Sequence, residues 1–202
     1  MGAKFLDGPA RHAFKEAIEK IESASSVEVV VAMRQRSARY LHAHVLVGAL
    51  VAFAALTAML YATHEFSLLA ILLNPFGAAI VAGFLAELVP PLIRILTPRA
   101  WRQREVLRAA RATFVERGVH NTTGRTGVLV YISWLEHEIA LVADGGVRLD
   151  LAAAQAELTT AMWRGGAAVA TRLAALAPDF AAALPHRDDD VNELPDDIDE
   201  GP

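Results

Sequence analysis

Two uninterrupted apolar runs limit what this chain can fold into more than anything else in it. From Val45 to Thr63 the sequence reads VLVGALVAFAALTAMLYAT, without one charged side chain. At about 1.5 Å of helical rise per residue, such a run is close to the thickness of a hydrocarbon core. After His64 and Glu65 a second run extends from Phe66 to about Val89, interrupted only by Asn74-Pro75 and Glu87. Core helices of soluble proteins are rarely charge-free over this length and seldom come as a pair with so short a link, so the two read as a transmembrane hairpin. Composition agrees, since 54% of the 202 residues are hydrophobic and the mean hydropathy is +0.33. The residues before the first run are polar and amphipathic, which excludes a secretory signal at that position.

The arginines orient the hairpin. Arg34, Arg36 and Arg39 precede the first run, and Arg94, Arg99, Arg102, Arg104 and Arg108 follow the second, whereas Thr63 to Glu65 carries no base. Cytoplasmic flanks collect Lys and Arg, so both termini are expected on the cytoplasmic face of a bacterial inner (plasma) membrane, with Arg39 and Arg99 at the interface. Glu87 reads either as an intramembrane functional carboxylate or as an interfacial residue just before Pro90-Pro91 ends the helix. Asn74-Pro75 reads as a kink, because one hairpin is too small to enclose a transport pathway. The net charge is −4, yet eight of the 23 acids lie in the tail from Asp188 to Glu200. Residues 186–202 therefore read as a disordered acidic tail, and the rest of the chain is mildly basic.

The other segments must build a cytoplasmic body from residues 1–42 and 97–185, on either side of the hairpin at 43–96. Ala10 to Ser23 sets Ala13, Phe14, Ala17, Ile18 and Ile21 on one helical face and Lys15, Glu16, Glu19 and Lys20 on the other. Val27 to Met33 is short and rich in β-branched residues, as a strand buried on both faces requires. Trp101 to Arg117 returns to helical spacing, with Gly118 as its stop. Thr126 to Ser133 and Glu138 to Ala143 read as strands joined by Trp134, Leu135, Glu136 and His137, and helices follow from about Asp150 to Arg164 and on to about Leu184.

These residues carry a resemblance. The order SVEVVV, an inserted apolar hairpin, RTGVLVYISWLEHEIALVADGGV, a Trp-bearing helix and the ending DDDVNELPDD resembles the membrane-inserted branch of the TPM-domain family, also called TPM phosphatase-like, over nearly the whole chain. The resemblance implies an α/β fold in which a small mixed sheet has helices on both faces (TPM-like α/β/α), here interrupted by a two-helix transmembrane hairpin. It also implies that some relatives bind divalent cations and are described as phosphatases, and that others act as assembly, repair or receptor-accessory factors. This chain departs from that pattern in two ways. The acidic motif ahead of the first helix is reduced to Asp7, and the hairpin lies inside the domain.

Strand directions then place the candidate sites. A right-handed crossover makes the second strand parallel to the first, so both run toward the membrane and the third runs away. Trp134 and Leu135 fall on the membrane side, where an indole either sits at the interface or covers the sheet. Asp144-Gly145-Gly146 and Glu28 fall together on the opposite rim, near Arg125, Arg148 and Asp150. Two carboxylates beside a glycine turn suit a weak Ca²⁺ or Mg²⁺ site or a docking rim; the same residues also suit an ordinary turn with Glu28 paired to an arginine. The glycines are expected to supply positive φ.

Other chemistries lack their signatures. No cysteine is present, the seven histidines lack paired-ligand spacing, and neither a phosphate-binding loop nor a Gly-x-Ser-x-Gly elbow around Ser133 occurs. His42 and His44 flank the membrane entry and are expected to face headgroups or water. Asn121-Thr122-Thr123 matches a glycosylation sequon that would be silent in the cytoplasm. The arginines near Trp101 point to anionic lipid rather than nucleic acid. The expected function is a non-catalytic accessory or scaffold module serving a membrane-protein partner; the alternative is a divalent-metal-dependent phosphatase-like hydrolase.

Overall fold

A computed structural model describes residues 5–187, 192–195 and 197–201, and the chain forms two compact units. One comprises residues 1–38 and 102–202; the other is the intervening segment Arg39–Trp101.

The first unit is built on a mixed sheet of β1 (Glu28–Arg34), β2 (Gly127–Ser133), β3 (Glu138–Ala143) and β4 (Asp199–Glu200), in the order β3-β2-β1-β4. β1 runs parallel to β2 in a register that pairs Glu28 with Gly127 and Arg34 with Ser133, and β3 returns antiparallel to β2. Side chains alternate across such a sheet, and the alternation sorts the core into two layers. Val29, Val31 and Met33 join Val128, Val130, Ile132 and Ile139 on one face, under α1 (Gly8–Ala24), α6 (Ala152–Ala161), α7 (Gly166–Ala174) and α8 (Ala177–Ala183). Val30, Ala32, Leu129, Tyr131 and Ala140 face the other way, onto Val106, Ala110 and Phe114 of α5 (Arg99–Glu116) and onto Val119. Helices therefore cover both faces, and the apolar stripe Phe14, Ala17, Ile18 and Ile21 of α1 is fully buried.

Local chemistry sets the helix limits. The carboxylate of Asp7 accepts the Ala10 N–H at 2.9 Å, so Asp7 serves as an N-cap with proline just inside the helix. Gly118 adopts φ 65° beyond α5, as the stop signal predicts. The helix expected from Asp150 starts at Ala152 and tightens into a 3-10 turn at Met162–Arg164 before Gly165, at φ 101°, breaks the chain direction.

The second unit contains α2 (Leu41–Tyr61) and α3 (Leu68–Ala86), both long and apolar enough to cross a membrane, and the short α4 (Pro90–Leu96). α3 runs unbroken through Pro75 and ends at Glu87, which is its C-cap. Pro90-Pro91 does not only end the preceding helix: lacking N–H groups that a first turn leaves unpaired anyway, the prolines open α4. α2 and α3 pack antiparallel through small residues. A Cβ at Gly48 would stand 2.8 Å from the Ala79 carbonyl oxygen, and one at Gly83 would stand 3.3 Å from that of His44. Their outward side chains lack protein cover, with Phe53 71% and Phe84 74% exposed. His42, instead of facing water, stacks on Trp101 at 4.3 Å between ring centroids and bonds through Nε2 to Thr97 Oγ1 at 3.1 Å.

The C-terminal segment departs from the disordered reading where it is described. Asp199–Glu200 pairs parallel to Ala32–Met33, because the edge of β1 offers unpaired backbone and a nearby arginine holds the acid. Residues 188–191, 196 and 202 of that reading lie outside the described residues.

Candidate functional site: the carboxyl rim and the opposite strand edge

At the N-terminal edge of β1 and β2 the first unit gathers the two carboxylates singled out from sequence. The Asp144 N–H bonds the Gly127 carbonyl at 2.9 Å and the Glu28 N–H bonds that of Thr126 at 3.3 Å, so the two residues flank the entry of β2. Both side chains are largely buried. Arg125 donates to Asp144 Oδ1 at 2.7 Å, and the Gly145 N–H donates to the same oxygen at 2.6 Å. Burial works against the ionised carboxylate, yet these two hydrogen bonds, with the charges of Arg125 and His120, outweigh it and hold Asp144 below the ordinary aspartate range. Asp144 Oδ2 is buried with no hydrogen-bond partner among the described residues. Glu28 Oε2 accepts the Leu194 N–H at 3.4 Å, and Glu193 caps Thr123, accepting its N–H at 2.7 Å and its hydroxyl at 2.5 Å. Between Ser26, Glu28, Thr123, Thr126, Pro185 and Glu193 lies a cleft of about 800 Å³.

The Asp-Gly-Gly turn has a different physical basis from the one expected. Neither glycine has positive φ; the left-handed residue is Arg125, at φ 53°. Gly146 is required because a Cβ there would stand 2.5 Å from the carbonyl oxygens of both Gly124 and Arg125. The turn brings two backbone segments into contact and so holds Arg125 over Asp144. Arg148 and Asp150 lie just beyond it, where Asp150 accepts the Ala152 N–H at 3.0 Å.

A hard cation fits these residues poorly. The Arg125 guanidinium already neutralises Asp144, and among the described residues no group of three or more His, Asp or Glu side chains converges as metal ligands. The pair has a testable signature. A depressed folded pKa contributes stability that is full above the unfolded pKa and is lost as pH falls through the folded value. Asp144 therefore stabilises the body at neutral pH, and that contribution starts to decline at the ordinary aspartate pKa of about 4 and is gone below the lowered folded value. Arg125→Ala is expected to raise the Asp144 pKa toward or above the ordinary aspartate value and to shift acid unfolding to higher pH, as read by NMR titration and circular dichroism.

The opposite edge, at the C-terminal ends of β1 and β2, holds a polar cluster that sequence reading passed over as a turn. Glu136 is 0% exposed. Its carboxylate accepts the Ser133 hydroxyl at 2.5 Å and the N–H groups of Ser37 at 2.9 Å and Ala38 at 3.3 Å. Ser37 Oγ lies 2.7 Å from Ser133 Oγ and 3.2 Å from the Tyr131 hydroxyl, and Arg102 donates to the Glu136 carbonyl at 2.7 Å. Burial is the main cause that pushes the Tyr131 phenol above its ordinary pKa. With Ser133 itself fully buried, this cluster clamps the chain leaving β1 rather than exposing a nucleophile. His137, at φ 55°, stacks on Trp163 at 3.9 Å, and that left-handed position is the one local sign that the turn is specialised. Trp134 and Leu135 bond through their N–H groups to the carbonyls of Arg34 and Gln35, and Trp134 packs half-buried against the core. Arg39 and Arg99 are exposed in the second unit.

Layered helices on both faces of a four-stranded mixed sheet define an α/β class. The BA42 protein of the psychrophilic bacterium Bizionia argentinensis, solved by NMR, shares this fold at a TM-score of 0.57 and 16% identity, over 98% of this chain and 96% of that one. The sequence matches no protein-family model and no curated protein.

Proposed function

We propose that the protein is a TPM-like accessory module anchored in the bacterial inner membrane by α2 and α3, with its termini and α/β body cytoplasmic and its carboxyl rim turned to a membrane-protein partner. The observation that carries the reading is the closed state of Asp144. Its charge is met by Arg125 and the Gly145 N–H, which leaves a neutralised polar rim suited to docking rather than an open carboxylate. The exposed apolar surface of α2 and α3 supports the anchor. A phosphatase-like, metal-dependent reading draws on one feature, the unpartnered buried Oδ2 of Asp144.

Two measurements on the full chain separate these readings. In nanodiscs, titration with Ca²⁺, Mg²⁺ and Mn²⁺ beside a phosphate-ester assay is expected to give no turnover. Metal-dependent turnover that Asp144→Asn removes would establish the hydrolase instead. For topology, the cysteine-free background allows clean labelling of whole cells. Thr63→Cys is expected to react with an impermeant maleimide, and Asn121→Cys, at an exposed position of the body, is not; the reverse pattern would overturn the orientation.

A further inference from the structure

The outer edge of β1 is closed by a ladder of only two residues, Asp199 and Glu200, and the contacts around that ladder form a recognition site. Arg34 donates to Asp199 Oδ2 at 2.5 Å and to its carbonyl oxygen at 3.0 Å, while Arg117 pairs with Asp199 Oδ1. Lys15 pairs with Asp197 at 3.1 Å, and Arg11 pairs with Glu200. Four bases from α1, from β1 and from just beyond α5 thus converge on one extended strip. Two apolar anchors accompany the charges. Ile198 packs against the core under α1, and Leu194 packs against the core under α5. After Glu200, Gly201 lies close to Arg34: a Cβ there would stand 2.5 Å from the guanidinium, which would have to swing aside for a larger residue.

We propose that this edge is a docking site for an extended acidic segment of a partner polypeptide, of the pattern Leu-x-x-x-Ile-Asp-Glu, and that the chain's own C-terminal strand occupies it in cis. Strand addition to a sheet edge draws affinity from the backbone ladder and specificity from side-chain pockets, and both are present. The cis occupant is held lightly. Its ladder is short, and the pairs of Arg11 with Glu200 and of Lys15 with Asp197 are exposed on both sides, where an ion pair contributes little; the Arg34–Asp199 pair is the one largely buried grip. It holds the site mainly through the high effective concentration of a tethered segment. A longer partner strand bearing the same anchors can therefore displace it. The same segment also reaches the carboxyl rim, through the Leu194 N–H on Glu28 and through Glu193 on Thr123, but the inference uses neither Asp144 nor Arg125, and its failure leaves that reading standing.

A fluorescent peptide of residues 192–201, titrated against the chain in nanodiscs and followed by anisotropy, tests the proposal. Ending the chain after Arg187 is expected to tighten peptide binding by about tenfold or more over the intact chain, because the tethered competitor is gone. Raising salt from about 0.05 to 0.5 M should weaken that binding. In case the shortened chain fails to fold, the intact chain carrying Asp199→Lys offers a second route and should bind the peptide as the shortened chain does. Arg34→Glu in either background should abolish binding and restore it for a peptide carrying Asp199→Lys. Equally weak binding by the intact, shortened and Asp199→Lys chains would overturn the proposal, as would binding indifferent to Arg34→Glu. Dimerisation of the intact chain through exchanged tails, without capture of free peptide, would also overturn it and make the edge a self-association strand.

Discussion

Glu136→Ala is expected to destabilise the α/β body by about 3 kcal/mol, since it removes a fully buried carboxylate that accepts from three donors at once. The carboxylate serves the Ser37 and Ala38 N–H groups and the Ser133 hydroxyl together; in an alanine variant the two N–H groups lose this acceptor, and the Ser133 hydroxyl keeps Ser37 Oγ at 2.7 Å. Glu136→Gln keeps one acceptor oxygen and places an NH₂ against donors, so about 1–2 kcal/mol is expected. Ser133→Ala removes one donor and leaves the carboxylate with its backbone partners, which should cost about 1 kcal/mol. Urea unfolding of the full chain in detergent, followed by far-UV circular dichroism, gives all three. A cost for Glu136→Ala below about 0.5 kcal/mol would mean that water reaches the carboxylate, and the clamp would then have no energetic basis.

Gly48→Leu is the second large effect. The Cβ of any side chain at that position meets the Ala79 carbonyl oxygen at 2.8 Å, and the obstacle is backbone, which cannot rotate away. The helices must separate or slide. Overpacking of a close interface costs about 1–3 kcal/mol, and between apolar helices in lipid the lost close approach removes much of what holds the pair together. Spin labels at Ala54 and Ala70, exposed or half-exposed positions on the two helices, are expected to show a longer and broader distance distribution in the variant. Gly48→Ala should give the same change at smaller amplitude. Gly77→Leu is the control, since a Cβ there meets nothing within 4 Å, and no change is expected.

What could be read from sequence followed the strength of each pattern. The two apolar helices were legible because a long charge-free run leaves few alternatives, and β1 was legible because Val29 to Met33 are apolar at every position, as a strand covered on both faces must be. The rim was legible too. Strand direction follows from crossover handedness, and that brought Glu28 and Asp144 to one edge before any coordinate did. Sequence reading failed where the deciding partner is remote. Gly146 was read as a source of positive φ, yet its need comes from the carbonyls of Gly124 and Arg125, over twenty residues earlier. Glu136 was read only as one of four residues joining two strands, because Ser37 and Ala38, its backbone partners, lie on the far side of the hairpin in sequence. The acids of the tail were counted as a composition, and composition carries no information on Arg34 or Arg117.

The position of the hairpin within the chain fixes an order of events during synthesis. β1 leaves the ribosome early, but its register partner for Glu28 is Gly127, and the strand that closes its other edge ends at Glu200. At translation rates of about 5–20 residues per second, the chain from Glu28 to Gly127 takes roughly 5–20 s to make. During that interval a strand of near-continuous valine has neither neighbour, while the two most apolar segments of the protein are being delivered. The nascent chain therefore carries an aggregation-prone strand before its partners exist, and on the membrane-anchored reading proposed above insertion of the hairpin comes before the body can close. On that reading, slowing insertion should trap β1 unpaired, and the yield of folded body would follow the speed of membrane targeting as well as the stability of the sheet.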